Sequence, residues 1–191
     1  MSRERLPDSV WHTEVMLTRK ARGIPFDSAL VHRIITASTG DSRSLWCQPR
    51  TGVMLIQTLS PLSPDTFAGE ASSVRQARAG VRFEQGARVE LSGMVCATVC
   101  KKGHRRVPVE EKQLPDWVES HLPGCHACVD SATMLTPAKG DHAGQRLTVS
   151  RAVFHAWATV IDTEAFAGML VHGVGRGKRF GAGLVLARRS A

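Results

Sequence analysis

Apolar positions recur along this chain in blocks of two kinds, some with the spacing of strands and others with that of helices. At 11–18, Trp11, Val15, Met16 and Leu17 lie in a β-favouring run that predicts a first strand. After Gly23 and Pro25, Asp27 stands as an N-cap, and Leu30, Val31, Ile34 and Ile35 fall on one face of a helix over 28–38. At a step of about 100° per residue the stripe is centred between Val31 and Ile34, so His32 and Arg33 fall off it on opposite flanks. The runs 44–48 and 53–59, separated by Pro49, Arg50, Thr51 and Gly52, predict a hairpin. The stretch 60–80 opens with proline and glycine and continues polar, which predicts loop with a short helix. A long strand is predicted over 88–100. Strand, helix, strand, strand, short helix, strand is the order of a ferredoxin-like half.

The same order recurs afterwards without close sequence repetition. The segment 110–122 predicts a helix containing Leu114, Trp117 and Val118, with Pro115 either breaking it or starting it. Two strands are predicted over 128–135 and 146–161. A helix over 163–172 has Asp162 as N-cap and Gly173 as the residue just past its end, and 184–187 reads as a last strand. The expected fold is α+β, two tandem ferredoxin-like (βαββαβ, RRM-like) domains over 1–100 and 101–191.

Composition narrows the function. The net charge is +8, which favours nucleic acid or an anionic membrane surface as partner. No apolar run is long enough to span a bilayer and the N-terminus has no signal-peptide core, so a cytoplasmic location is expected. With no Tyr, four Trp and six Phe, stacking on single-stranded bases is poorly supplied, and charge and shape should dominate any binding of nucleic acid. Cys125 and Cys128 form a CxxC, but Cys96 and Cys100 lie in a strand-like run as small buried thiols, so no metal site is expected.

Two segments carry the candidate chemistry. In 173–183, five glycines (Gly173, Gly175, Gly177, Gly181, Gly183) alternate with Arg176, Lys178 and Arg179. Glycines at this density allow close backbone approach with N–H groups turned outward, and the cations suit a polyanion, phosphate first. A Walker loop is excluded because Gly177-Lys178 is followed by Arg179, and a dinucleotide fingerprint because the loop follows a helix and enters a strand. The other segment, 101–106, places Lys101, Lys102, His104, Arg105 and Arg106 around Gly103, and Val107-Pro108-Val109 follows. A tight turn with a solvated basic rim would account for either segment structurally.

The glycine segment resembles the C-terminal signature of the CRISPR-associated RAMP proteins, most of all the CasE-type endoribonucleases that process CRISPR precursor RNA in type I-E systems. The Arg106-Val107-Pro108-Val109 segment and the helix carrying Leu30-Val31-His32 stand in the family's order. The resemblance implies a metal-independent endoribonuclease without cofactor, acting on a CRISPR repeat stem-loop. It implies attack by the 2′-hydroxyl, leaving a 2′,3′-cyclic phosphate or 3′-phosphate and a 5′-hydroxyl, with His32 as the catalytic acid or base. Arg33, Lys101, Lys102, Arg105, Arg106, Arg176, Lys178 and Arg179 are then RNA-binding residues. The partners implied are repeat RNA and the other Cascade subunits. Some family members place a tyrosine three residues before the histidine, where this chain has Ala29; the duty of that phenol is then absent here or taken by Arg33, Thr36 or Ser38. A non-catalytic RNA-binding subunit of the same superfamily is the alternative. The other seven histidines are expected to be structural or solvated.

Overall fold

The computed structural model describes residues 5–22, 28–101, 106–142 and 145–190, with the backbone alone over 139–142 and 145–147. Strand β1 (Ser9–Leu17) is followed by a one-turn helix α1 (Arg19–Arg22) and by helix α2 (Ser28–Thr39). Strands β2 (Leu45–Arg50) and β3 (Val53–Thr58) form the expected hairpin, and β4 (Ala71–Gly80) completes an antiparallel sheet in the order β2-β3-β1-β4. That is the ferredoxin-like order, with a 3-10 turn, Pro64–Phe67, in place of the second helix. Asp27, the expected cap of α2, lies outside the described residues.

The fourth strand is a correction. The sequence pattern predicts loop over most of 60–80, yet β4 pairs with β1 from Ser9↔Gly80 to Leu17↔Ala71. It is an edge strand with Ser72, Ser73, Arg75, Ala77 and Arg78 exposed, so it carries no apolar alternation and is held mainly by its backbone ladder. The strand predicted over 88–100 is instead β5 (Arg88–Val95) followed by a separate short strand, β6 (Thr98–Cys100), and β5 belongs to the second sheet. Sheet membership therefore divides the chain between Gly80 and Arg88, ahead of the expected boundary at 100/101.

The second sheet has the order β10-β5-β9-β8, formed with β8 (Cys125–His142), β9 (Gln145–Val160) and β10 (Val185–Arg189). Relabelled by chain order within this half, it repeats the topology of the first. Helix α3 (Leu114–Ser120), with Pro115 in its first turn, and helix α4 (Thr163–His172) cover one face. Strand β6 pairs with β7 (Arg106–Pro108) as a separate two-stranded ribbon. No helix among the described residues is long and apolar enough to cross a membrane.

Each half has its own core. In the first, Val31 and Ile35 of α2 pack with Val15, Leu17, Trp46 and Met54. In the second, Phe166 and Leu170 of α4 pack with Val89, Leu91, Ala156 and Val160. A third cluster joins the halves: Leu45 and Cys47 on β2 meet Met94 and Leu184, flanked by Leu55, Leu135, Val153 and Leu186. Burial of each such leucine stabilises by about 1.5–3 kcal/mol, so the two sheets are fixed against one another. Gln57 adds a polar tie. Its amide nitrogen donates to the carbonyls of Leu170 (2.8 Å) and Val171 (3.2 Å), and its oxygen accepts from His12 Nε2 at 3.0 Å. The end of α4, from which the glycine segment departs, is thereby held to β3.

Candidate nucleic-acid interface

Helix α4 starts at Asp162, whose Oδ1 accepts from the N–H groups of Glu164 (3.1 Å) and Ala165 (3.0 Å). It ends at Gly173, which has φ 69° and donates its N–H to Met169 O at 2.8 Å. The chain then folds back on itself: Val174 N–H donates to Gly183 O, and Gly183 N–H to Met94 O. At Gly173 this return is tight, since a Cβ there would lie 2.4 Å from Gly183 O and 2.8 Å from Leu45 Cδ1. Within the loop a 3-10 turn, Lys178–Phe180, sits against α2 and β2, and the ring of Trp46 lies under Gly181.

The N–H groups of the loop fall into two sets. Phe180, Gly181, Ala182 and Gly183 spend theirs on internal bonds. Those of Gly175, Arg176, Gly177, Lys178 and Arg179 form no hydrogen bond to any described residue. A run of unpaired amides beside two positive-φ glycines, Gly175 and the left-handed Gly177, is an arrangement suited to an anion. Arg176 and Arg179 are exposed beside it. Lys178 differs: its stem lies over Gly183, and burial lowers the pKa of its ammonium.

His32 sits on α2, which packs against this turn, and is half-buried. Burial lowers its pKa, the charge of Arg179 lowers it further, and Asp41 acts in the opposite sense. Nδ1 of His32 is buried without a hydrogen-bond partner among the described residues, and so is Oγ1 of Thr36 one turn along the helix. Residues four apart share a helix face. Two unpaired buried polar atoms on one face mark a place suited to a polar ligand. Asp41 is fixed in position, accepting from the N–H groups of Arg43 (2.9 Å) and Leu59 (3.3 Å).

The remaining expected residues are distributed as follows. Arg33 is exposed and Leu30 is 46% exposed, so the buried stripe of α2 is narrower than four residues; it centres on Val31 and Ile35. Of the three residues expected to replace a tyrosine at Ala29, Ser38 is bonded to Thr66 (2.6 Å) and Arg33 points to solvent, while Thr36 remains beside His32. Lys101 and Arg106, both exposed, lie at the two ends of the segment joining β6 to β7; Lys102, His104 and Arg105 lie outside the described residues. Arg106 and Arg176 are both close enough to Cys96 to act on its thiol, and Gly177 lies against the Cβ of Cys96. The glycine loop therefore lies against Cys96, two residues before the basic ribbon begins.

Cys100 is exposed and Cys96 half-buried, so neither is the fully buried strand thiol expected. Cys125 and Cys128 sit three apart on β8, where such residues point to opposite faces, and no group that could hold a metal occurs among the described residues. Two features were missed by sequence reasoning. One is Asp41 with Arg43, contributed by the turn after α2. The other is Arg151 on β9, whose Nε is buried without a partner among the described residues and whose guanidinium pKa is lowered by burial. Neither belongs to a motif, so the only available signal was a lone charge next to an apolar run.

A family model described as CRISPR associated protein matches residues 18–189. The fold is similar to that of the CRISPR endoribonuclease Cse3 bound to a 19-nucleotide RNA, at 21% identity and TM-score 0.77, over 94% of this chain and 98% of that one. It is also similar to Thermus thermophilus Cse3 bound to an RNA representing a pre-cleavage complex (20%, TM-score 0.75, 94% and 99%). A third similar structure is the CRISPR-associated protein Cas6e from Escherichia coli K-12 (15%, TM-score 0.67, 94% and 100%). At these identities the likeness is one of fold. Among curated protein sequences, none matches this chain.

Proposed function

Because the chain belongs to the CRISPR-associated protein family, we propose that it is a metal-independent endoribonuclease that cuts CRISPR repeat stem-loops in precursor RNA and stays on its product within a Cascade complex in the cytoplasm. The observation that carries this is His32: a half-buried imidazole with an unpaired ring nitrogen, within the field of Arg179 from the cationic glycine loop. The RNA-bound Cse3 structures of the same fold supply the substrate class.

RNA cleavage of this kind needs the 2′-hydroxyl in line with the scissile phosphate, a proton acceptor beside it and donors for the added negative charge. The open amides of 175–179 with Arg176 and Arg179 hold phosphate oxygens, and the rigid helix α2 holds His32. A ring whose pKa is lowered is neutral near pH 7, the form that accepts the 2′-hydroxyl proton. Replacing Arg179 by Gln removes a positive charge that disfavours the imidazolium, so the His32 pKa rises. The acid limb of the rate profile then moves to higher pH, and the rate below neutrality falls relative to the unaltered protein. Asp41→Asn moves the limb the other way. Single-turnover rates across the acid range check both, and an unmoved limb in both variants would exclude His32 as the titrating base.

The ribbon grips the stem through its phosphates, because an A-form major groove is too narrow for side chains to read. Replacing Lys101, Lys102, Arg105 and Arg106 by Ala together weakens repeat binding and flattens its salt dependence, by about 0.9 for each phosphate left without its cation. An unchanged affinity and slope would remove the ribbon from the interface. Ala29 favours a second function, RNA binding without cleavage, because the phenol of some family members is missing there. Incubation of the intact protein with repeat RNA in chelator separates the two.

A further inference from the structure

A second basic surface lies at the turn that follows α2, the helix of His32, and has no part in the cleavage chemistry. A cleft of about 420 Å3 is lined by Arg5, Asp8, Arg43, Leu59, Arg78 and His172. It connects to the His32 site in two ways. Asp41, whose charge reaches His32, pairs with Arg43 at 4.0 Å. His172, the last residue of α4, leads directly into the glycine loop that carries Arg179.

The lining is mixed in a way that suits nucleotides. Arg78 is held at the rim by Nε donating to Ser9 Oγ at 2.8 Å, and Asp8, the cleft's acidic residue, is engaged by Arg82 at 3.4 Å. Leu59, 36% exposed, supplies an apolar surface on which a base can lie. Guanidinium groups take phosphate oxygens, and the volume suits a small group and not a duplex.

Gly177 of the glycine loop lies against Cys96, just before the basic ribbon; the loop's 3-10 turn packs on α2, which carries His32; and the turn after α2 carries Asp41 and Arg43. A stem resting on the ribbon therefore leaves the cleft for RNA on the far side of the scissile bond. We propose that this cleft binds the single-stranded flank of the RNA, beyond the cleavage point from the stem. The proposal rests on the endoribonuclease function, and it adds a subsite to it.

The test uses a repeat hairpin from the host's array with a 2′-deoxy nucleotide at the cleavage position, so that binding is measured without cutting. It is prepared as the stem ending at that position and as the stem with a short single-stranded extension past it. The intact protein is expected to bind the extended RNA about tenfold more tightly, the gain of one well-held nucleotide, with a salt slope steeper by about 0.7 for each further phosphate neutralised. The double variant Arg5→Ala, Arg78→Ala loses that increment and keeps its affinity for the stem. The proposal is overturned if the extension adds nothing for the intact protein, or if the double variant weakens both RNAs equally. Cleavage of the unmodified hairpin is measured in parallel. Protein that cuts it but gains nothing from the flank sinks only this subsite, whereas protein that neither binds nor cuts the hairpin sinks the endoribonuclease function as well.

Discussion

His32→Ala is expected to leave repeat RNA bound and uncut. General acid–base help from one positioned side chain is worth about 100- to 10,000-fold in rate, so the single-turnover cleavage rate should fall by a factor in that range. Affinity should change little. The ring is held neutral by burial and by Arg179, so removing it takes no full charge away from the phosphates. Stability should also be spared, because Nδ1 makes no hydrogen bond to any described residue and its loss breaks none. Parallel measurements of cleavage, RNA affinity and thermal unfolding separate these effects. A variant that cuts within about tenfold of the unaltered rate would take His32 out of the chemistry, since a tenfold change is only about 1.4 kcal/mol of barrier.

The second large effect is expected in the loop, from one of two glycines with the same backbone angle. Gly173 and Gly175 both have φ 69°, which costs an L-residue roughly 1–3 kcal/mol, and at Gly173 a ψ of 175° makes the conformation one essentially confined to glycine. Their surroundings differ. Gly175 has no atom within 4 Å of a Cβ position, so Gly175→Ala carries that backbone cost alone and should cut RNA within a few-fold of normal. At Gly173 the Cβ would meet a carbonyl oxygen at 2.4 Å. That oxygen is Gly183 O, which accepts from Val174 N–H, and Gly183 is tied in turn to Met94. Relief of the clash requires that chain of bonds to open, and with it the placement of Arg179 beside His32. Gly173→Ala is expected to lose about 3 kcal/mol or more of stability and nearly all cleavage. Denaturant unfolding with cleavage assays on both variants checks the contrast; equal tolerance at the two positions would contradict it.

The elements that announced themselves in the sequence are those whose signal is local. The hairpin of β2 and β3 has its turn glycine, and α4 has both of its caps in the expected places, Asp162 and Gly173. The off-stripe position of His32 followed from helix geometry alone. Strand β4 was illegible because a two-sided polar edge strand has no pattern of its own; its place is dictated by pairing with β1, far earlier in the chain. Losing β4 made β5 look like the end of the first half, when it is the first strand of the second sheet. The same limit applies to the site. The cluster of glycines and cations over 173–183 is visible in the sequence, but that Lys178 lies over Gly183, or that Asp41 acts on His32, depends on how the chain folds back and on which elements pack together.

The chemistry at His32 is tested most directly by the ends of the cut RNA. Repeat RNA incubated with the intact protein in excess chelator should yield a 5′-hydroxyl on the downstream fragment and a 2′,3′-cyclic phosphate or 3′-phosphate on the upstream one. A 2′-deoxy nucleotide at the cleavage position should block the reaction. Fragments ending in a 5′-phosphate and a 3′-hydroxyl, or cleavage that survives the 2′-deoxy substitution, would contradict attack by the 2′-hydroxyl and the role given to this imidazole.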